Sequence, residues 1–195
     1  MLKKLFLIIV AVITLGAASQ PSVAVAKAVN TQNQYNAAEP QIWSNRLITV
    51  AVDPNAPANV KRGVNYAMKQ WNLCHVRQLV GTGDYQTANI QVVTAKLKDD
   101  KDPQAFTVYG RTTLTYGKKY IDHAKIMINT TAINHDDHSK GHQLLMDRTC
   151  LHEMGHALGL SHTTRDARSV MTPDAKYDLQ PFDVQRLKML YNGNY

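Results

Sequence analysis

The spacing of apolar side chains changes near residue 59, and this change separates a predicted strand from a predicted helix. Over residues 46–52 the side chains alternate between two faces, as in a β-strand, and Asp53-Pro54 ends the run. Apolar residues then recur at helical spacing, at Val60, Val64, Met68 and Trp71. We therefore predict an amphipathic helix that extends to about Cys74, with Asn59 as its N-cap.

Further strand and helix patterns follow along the rest of the chain. We predict strands at residues 88–97, 108–116 and 121–129, a polar loop at 135–142, and helices at 143–160 and 182–191. The strands at 108–116 and 121–129 are joined through Gly117, which predicts a hairpin, and the first of them is the candidate edge of a sheet. This order of strands and helices, without an internal repeat, predicts an α+β fold.

The N-terminal segment has the pattern of a secretory signal peptide. Lys3 and Lys4 precede an apolar run at 5–18, which at about 14 residues is shorter than the roughly 20 that a membrane-spanning helix needs. Ala24-Val25-Ala26 is a candidate cleavage site, and cleavage near Ala28 is the alternative. We predict a secreted protein with no stable membrane insertion after cleavage; an uncleaved membrane anchor is the rival interpretation.

These boundaries divide the chain into three parts. Residues 1–26 are the predicted signal peptide, residues 27–41 are a polar lead-in, and residues 42–195 are one predicted domain. A chain of 195 residues is long enough for one domain with a substantial core. We expect that domain to act as a monomer.

Composition and charge exclude several classes of protein. With 44% hydrophobic and 19% charged residues, the chain is not a disordered tail, a collagen-like repeat or a multi-span membrane protein. Two cysteines are too few for a disulfide-dense scaffold. The formal net charge of +7 permits weak attraction to anionic polymers, but without a clustered basic face we expect no nucleic-acid partner.

One eleven-residue stretch carries recognisable metal chemistry. Residues 152–162 read H-E-x-x-H-x-x-G-x-x-H, with His152, His156 and His162 at the histidine positions. Histidines four residues apart lie on one face of a helix, and Gly159 lets the chain turn so that the third imidazole returns to the same point. Three protein ligands leave the fourth position of a zinc ion to water, as in catalytic zinc sites.

Glu153, next to the first histidine, is the candidate general base. Zinc lowers the pKa of its bound water to about 7 and polarises a substrate carbonyl. Glu153 can accept the proton of that water and pass it to the leaving amine. The motif therefore predicts one catalytic Zn²⁺ and hydrolysis of a peptide bond.

The zinc motif and the segment after it resemble those of the metzincin metalloproteases. Ser169-Val170-Met171-Thr172-Pro173 follows the motif, and in that clan Met171 would form the methionine turn beneath the zinc ligands. Pro173 and the stretch 183–191 are most similar to the matrixin family. The resemblance covers about residues 42–193.

The resemblance implies both a fold and an activity. The fold would be a twisted mixed β-sheet with a helix in the N-terminal half, a zinc-binding active-site helix and a C-terminal helix. The activity would be that of a secreted, bacterial-type zinc endopeptidase, which binds a protein or peptide substrate in extended form along the sheet edge. The sequence departs from the matrixin pattern at Thr163 and at Asp174-Ala175, and both cysteines lie inside the domain, so latency through a propeptide thiol is not expected.

Three questions stay open at this point. The rival functions are a secreted zinc-binding cell-wall or surface protein with weak or no turnover, and a hydrolase of a non-peptide amide. The second question concerns a polar cluster in the predicted loop at 135–142. We expect these side chains to be solvated, and binding of a second metal or of calcium is the alternative; they are His135, Asp136, Asp137, His138 and His142.

The third question concerns Cys74 and Cys150. Secretion permits a disulfide between them, and two buried free thiols are the alternative. Cys150 stands two residues before His152, about 200° around the helix, so it faces away from the zinc and is not expected to be a ligand.

Overall fold

The computed structural model describes residues 42–98, 108–139 and 143–192. The predicted signal peptide and lead-in lie outside the described residues. Within the described ranges the elements are, in chain order, β1 (Leu47–Val52), α1 (Ala58–Asn72), β2 (Gln78–Gly81), β3 (Ile90–Thr94), β4 (Gly110–Tyr116), β5 (Ile121–Ile128), α2 (Thr130–Asp136), α3 (Leu144–Ala157) and α4 (Pro181–Asn192).

The five strands form one mixed sheet in the order β2-β1-β3-β5-β4. Strands β2, β1, β3 and β5 run parallel to one another, and β4 pairs with β5 in the antiparallel direction. Mixed sheet and separate helices confirm the predicted α+β class. The prediction that residues 108–116 form an edge strand is confirmed as well, because β4 lies at the end of the sheet.

Helices α1 and α3 pack together over the buried face of the sheet. Trp71 fixes their register: its Nε1 donates a hydrogen bond to the Leu151 carbonyl at 2.9 Å. The two helices approach closely at Gly63, where an added Cβ would lie 2.9 Å from Cys150 Sγ and 3.1 Å from Met146 Cγ. A buried stripe on α1 makes this packing possible; its members are Val60, Gly63, Val64, Ala67 and Trp71.

Aromatic side chains from both ends of the described chain satisfy the carbonyls at the end of α3. Trp43 Nε1 donates to the Ala157 carbonyl at 2.8 Å, and Tyr191 Oη donates to the Leu158 carbonyl at 3.0 Å. The last carbonyls of a helix have no partner inside it, so they require donors from elsewhere. These two bonds hold the end of α3 where the chain turns towards His162.

Three details of the local structure differ from the sequence predictions. Helix α1 begins at Ala58 after Pro57, whose φ of −57° already suits a helix, so Asn59 lies inside the helix and is not the N-cap. The predicted loop at 135–142 overlaps α2, which the Asn129 side chain caps by accepting from Ala132 N. The prediction contained no β2 at all.

Candidate metal centre

Two of the three motif histidines project from the same face of α3. His152 Nε2 and His156 Nε2 lie 3.0 Å apart. The helix ends at Ala157, and Gly159, with φ of 96°, reverses the chain. His162 Nε2 thereby reaches 3.1 Å from each of the other two Nε2 atoms. The convergence that the motif predicts is confirmed, and within the described residues this is the group of side chains that could hold a metal ion.

Main-chain carbonyls fix the orientation of both helix histidines. His152 Nδ1 lies 2.7 Å from the Val170 carbonyl oxygen, and His156 Nδ1 lies 2.7 Å from the Leu160 carbonyl oxygen. A carbonyl oxygen only accepts, so each Nδ1 carries the proton and each Nε2 carries a lone pair. This is the second-sphere arrangement by which proteins orient imidazole ligands of a metal.

The geometry of the cluster fits a zinc ion. The contact between His152 Nε2 and His156 Nε2 joins two lone pairs, so it is not a hydrogen bond and a cation at their meeting point would stabilise it. Zinc–nitrogen bonds of about 2.0–2.1 Å at tetrahedral angles place ligand nitrogens about 3.3–3.4 Å apart. The observed separations of 3.0–3.1 Å come within a few tenths of an ångström of that requirement.

Burial keeps the helix histidines neutral, as metal ligation requires. Both rings are almost completely inaccessible to solvent. Burial and the neighbouring His162 lower the pKa of His152 to about 3. Burial, the two other histidines and the Arg186 guanidinium likewise hold the pKa of His156 well below its ordinary value. Neutral imidazoles bind a metal without first losing a proton.

Met171 lies beneath the histidine cluster. Its Sδ packs against Gly155, between the two helix histidines, so closely that a Cβ on Gly155 would overlap it. Two hydrogen bonds to main-chain carbonyls join this turn to the cluster: the Val170 carbonyl orients the His152 ring, and the Met171 carbonyl accepts from the N of Thr163, next to His162, at 3.0 Å. The resemblance predicts a methionine turn at Met171, and the structure places this side chain against the helix that carries His152 and His156.

Asp183, on α4, holds the turn in place from below. Its carboxylate is fully buried and accepts hydrogen bonds from Ser169 Oγ, from Val170 N at 3.0 Å and from Gln180 N at 3.0 Å. The Val170 carbonyl in turn orients His152. Two successive hydrogen bonds, both through Val170, therefore connect the C-terminal helix to the first histidine of the cluster.

Glu153 is buried against the edge strand β4. Thr112 Oγ1 donates to Glu153 Oε2 at 2.7 Å, whereas Oε1 is buried without a hydrogen-bond partner. Gly110 leaves room for the side chain, because a Cβ there would lie 2.7 Å from both Oε1 and Cγ. Oε1 is therefore the acceptor that the surrounding protein leaves available for a proton.

Burial raises the pKa of Glu153 to about 8, against the opposing effects of the Thr112 hydrogen bond and of Arg111. A cation held by the adjacent histidines would favour the charged carboxylate and lower this pKa. Because Oε1 is buried without a hydrogen-bond partner, the pKa of Glu153 would respond strongly to a metal ion bound nearby.

Cys74 and Cys150 are both buried free thiols, so the disulfide that the sequence permits is not formed. Cys150 Sγ faces Gly63 on α1, whereas Cys74 stands eleven residues later in the chain. Most of these eleven residues belong to α1, where each adds 1.5 Å along the helix. Cys74 therefore lies farther from Gly63, and so from Cys150, than the roughly 7 Å between Cα atoms that a disulfide can bridge. Cys150 therefore serves the packing of α1 on α3, away from the histidine cluster.

The polar cluster after β5 stabilises local structure. Asp137 accepts from Ser139 N and, through Oδ2, from Leu145 N at 2.8 Å, which satisfies a free amide at the start of α3. Tyr109 Oη donates to Asp136 Oδ2 at 2.6 Å. His142 lies outside the described residues. The Asp137 bond to Leu145 N anchors the N-terminal end of the helix that carries His152, and the Tyr109 bond holds the end of α2.

Fold and site together define a class of protein: an α+β domain in which one helix and the loop after it present three histidines, with a carboxylate beside them. A family model described as Matrixin matches residues 42–192, and the chain belongs to the matrixin family. None of the curated proteins matches the chain. Family membership and the three-histidine cluster support a zinc metalloprotease.

Proposed function

We propose that this matrixin is a secreted zinc endopeptidase, with His152, His156 and His162 as ligands of one zinc ion and Glu153 as general base. The observation that carries the proposal is the convergence of three Nε2 atoms within 3.1 Å beside a buried carboxylate with one unpartnered oxygen. A structural metal site needs no such carboxylate, and it is closed by four protein ligands.

When bound, zinc lowers the pKa of a coordinated water and polarises a carbonyl group. Glu153 provides the proton acceptor: its Oε1 takes a proton from the attacking water, while Thr112 holds Oε2 and so fixes the carboxylate. The protonated Glu153 then donates to the leaving amine as the peptide bond breaks. The buried surroundings favour this proton transfer, because a neutral carboxylic acid costs less there than a charged one.

Strand β4 is the proposed binding edge for the substrate. Its antiparallel partner β5 occupies one side, and within the described residues no strand pairs with the other side. An extended peptide can add to such an edge through main-chain hydrogen bonds. Gly110 and Thr112 of β4 contact Glu153, so a peptide on this edge would pass next to the general base.

Secretion is proposed from the signal-peptide pattern at residues 1–26. In the part of the chain that the structure describes, no helix combines the length and the apolar character needed to span a bilayer. Recovery of the mature protein from the culture medium, with an N-terminus at or near Lys27, tests this part of the proposal.

The catalytic part is tested with Glu153→Ala and a casein or peptide-library assay. We expect this variant to keep its zinc and its fold but to lose hydrolysis by roughly 10²–10⁴-fold, the usual contribution of a positioned acid–base group. Asp84→Asn is the matched control, because it removes an exposed carboxylate in the loop after β2 and should leave turnover unchanged. Near-normal turnover by Glu153→Ala would reject Glu153 as the base.

A further inference from the structure

A groove of about 660 Å³ opens beside His162. One wall is the segment that carries this histidine, residues 159–163, and the other is one face of α4. The groove therefore begins at a proposed zinc ligand and extends away from it along the surface. Its walls combine apolar side chains with two arginines; these residues are Phe182, Met189, Leu190, Arg165 and Arg186.

The two arginines form no ion pair with any described residue. Arg186 Nη2 donates to the Ser161 carbonyl at 3.0 Å, which holds the guanidinium next to His162, and its Nη1 has no hydrogen-bond partner. Arg165 is exposed on the opposite wall, and its main-chain N donates a hydrogen bond to Thr163 Oγ1. Two positive charges thus face one groove; the Asp183 carboxylate acts on Arg186, but it is fully buried and does not line the groove.

Asp183, the acidic residue of α4 nearest to Arg186 in sequence, binds other partners and does not line the groove. Asp183 accepts three hydrogen bonds, from Ser169 Oγ and from the main-chain N atoms of Val170 and Gln180. Its carboxylate is fully buried below the groove, where it stabilises the methionine turn. The groove consequently retains a net positive charge that an incoming group can neutralise.

We propose that this groove is a substrate subsite that binds a carboxylate group through Arg165 and Arg186. The carboxylate is either an Asp or Glu side chain near the cleaved bond or the C-terminus of the substrate. Apolar walls suit the aliphatic part of such a residue, and guanidinium groups suit its charged end. The inference rests on the proposed function, because it assigns the groove to the substrate of the same site.

The probe is a set of acetylated, amidated ten-residue peptides built on one casein-derived sequence, with Glu or Gln placed at each position in turn. At one position relative to the cleaved bond, we expect the Glu peptide to have a kcat/KM about five- to tenfold higher than the Gln peptide. Raising the salt concentration should reduce this preference, because the groove is open to solvent. Equal kcat/KM values for Glu and Gln at every position would overturn the proposal.

The variants Arg165→Gln and Arg168→Gln separate the groove from the overall charge. Both remove one positive charge from the same loop, but the Arg168 side chain is 76% exposed and lies outside the groove, near Asp166. We expect Arg165→Gln to bring the Glu-to-Gln ratio to about one and Arg168→Gln to preserve it. Equal loss of the ratio in both variants would attribute it to general attraction and reject the subsite.

A binding measurement distinguishes failure of the subsite from failure of the proposed function. Fluorescein-labelled Glu and Gln peptides are titrated with the Glu153→Ala protein, and binding is followed by fluorescence anisotropy. Tighter binding of the Glu peptide without cleavage by the unmodified protein would support the subsite and reject the endopeptidase. Cleavage of both peptides, together with equal affinities, would support the endopeptidase and reject the subsite. Binding of neither peptide would also reject the subsite.

The source of the carboxylate is identified with the Gln peptides in free-acid form. If the free acids are preferred over the amides, and internal Glu gives no gain, the groove binds a C-terminal carboxylate. If internal Glu gives the gain, it binds an acidic side chain. Either result supports a carboxylate subsite, and no gain from either form rejects it.

Discussion

At the scale of single residues, the environment of Glu153 determines what the site can do. The backbone at Gly110 passes so close to the carboxylate that any Cβ would meet it, and Thr112 binds one of its two oxygens. Neither residue belongs to the zinc motif. Under the proposed function both are positioning residues, which would act on the reaction through Glu153.

Gly110→Ala tests this positioning directly. The new Cβ would lie 2.7 Å from Glu153 Oε1, so the carboxylate must move, and we expect kcat to fall by about 10–100-fold with the zinc content unchanged. Gly83→Ala is the matched control, since no atom lies within 4 Å of the added Cβ there. Unchanged kcat in Gly110→Ala would show that Glu153 does not depend on this contact.

The state of the two cysteines is a second prediction at this scale. Because Cys74 and Cys150 are buried free thiols, denatured and unreduced protein should take up two alkyl groups. Folded protein should react slowly, because burial raises the pKa of both thiols, that of Cys74 to about 11. Intact mass spectrometry after alkylation measures this. No uptake, with a mass two daltons below the reduced value, would show a disulfide.

At the scale of elements, the methionine turn and α4 act as a support for α3. Asp183 joins α4 to the turn, the turn orients His152, and Met171 packs beneath Gly155. Each contact connects residues that are more than ten positions apart in the chain. The support is thus a property of the assembled fold rather than of any one segment.

Asp183→Asn should weaken this support. The substitution removes the charge and leaves one oxygen to serve three donors, so we expect the free energy of unfolding to fall by about 2–3 kcal/mol. Asp178→Asn, at a half-exposed carboxylate 3.6 Å from Arg148 Nε, is the control and should cost less than about 1 kcal/mol. Chemical denaturation of both variants measures the difference. Equal losses would contradict the role given to Asp183.

Elements with long, regular patterns could be predicted from the sequence, and short ones could not. The stripe on α1 and the motif on α3 extend over several turns, so their periods are visible. Strand β2 has four residues, too few to establish a period, and the polar composition of α2 resembles a loop. Local sequence also gave the wrong N-cap for α1, because Pro57 occupies that position and the helix begins one residue before Asn59.

The candidate site divides in the same way. The three histidines and Glu153 lie within one local motif, whose helical geometry can be deduced from spacing. Thr112 and Gly110 lie about 40 residues before Glu153, and only the packing of α3 against β4 brings them to it. From the sequence, Asp183 could be recognised only as part of the C-terminal helix. Its role depends on hydrogen bonds to Ser169 and Val170, more than ten residues earlier in the chain, and those contacts form only in the folded protein.

At the scale of the whole molecule, the sheet, α1, α3 and α4 form one core around the histidine cluster. Trp43 and Tyr191, from opposite ends of the described chain, both bind carbonyls at the end of α3. A metal ion bound by α3 and the loop after it would therefore stabilise the whole domain, because binding to the folded state alone raises its stability.

Zinc stoichiometry, measured with activity on the same sample, tests the central claim most directly. We predict one zinc per chain by elemental analysis, loss of peptide hydrolysis and a lower Tm on chelation, and recovery of both when zinc is restored. His156→Ala, which removes one of the three Nε2 atoms, should bind zinc far more weakly and show no such recovery. A folded protein that binds no zinc after supplementation, or a His156→Ala variant with unchanged zinc affinity, would contradict the account.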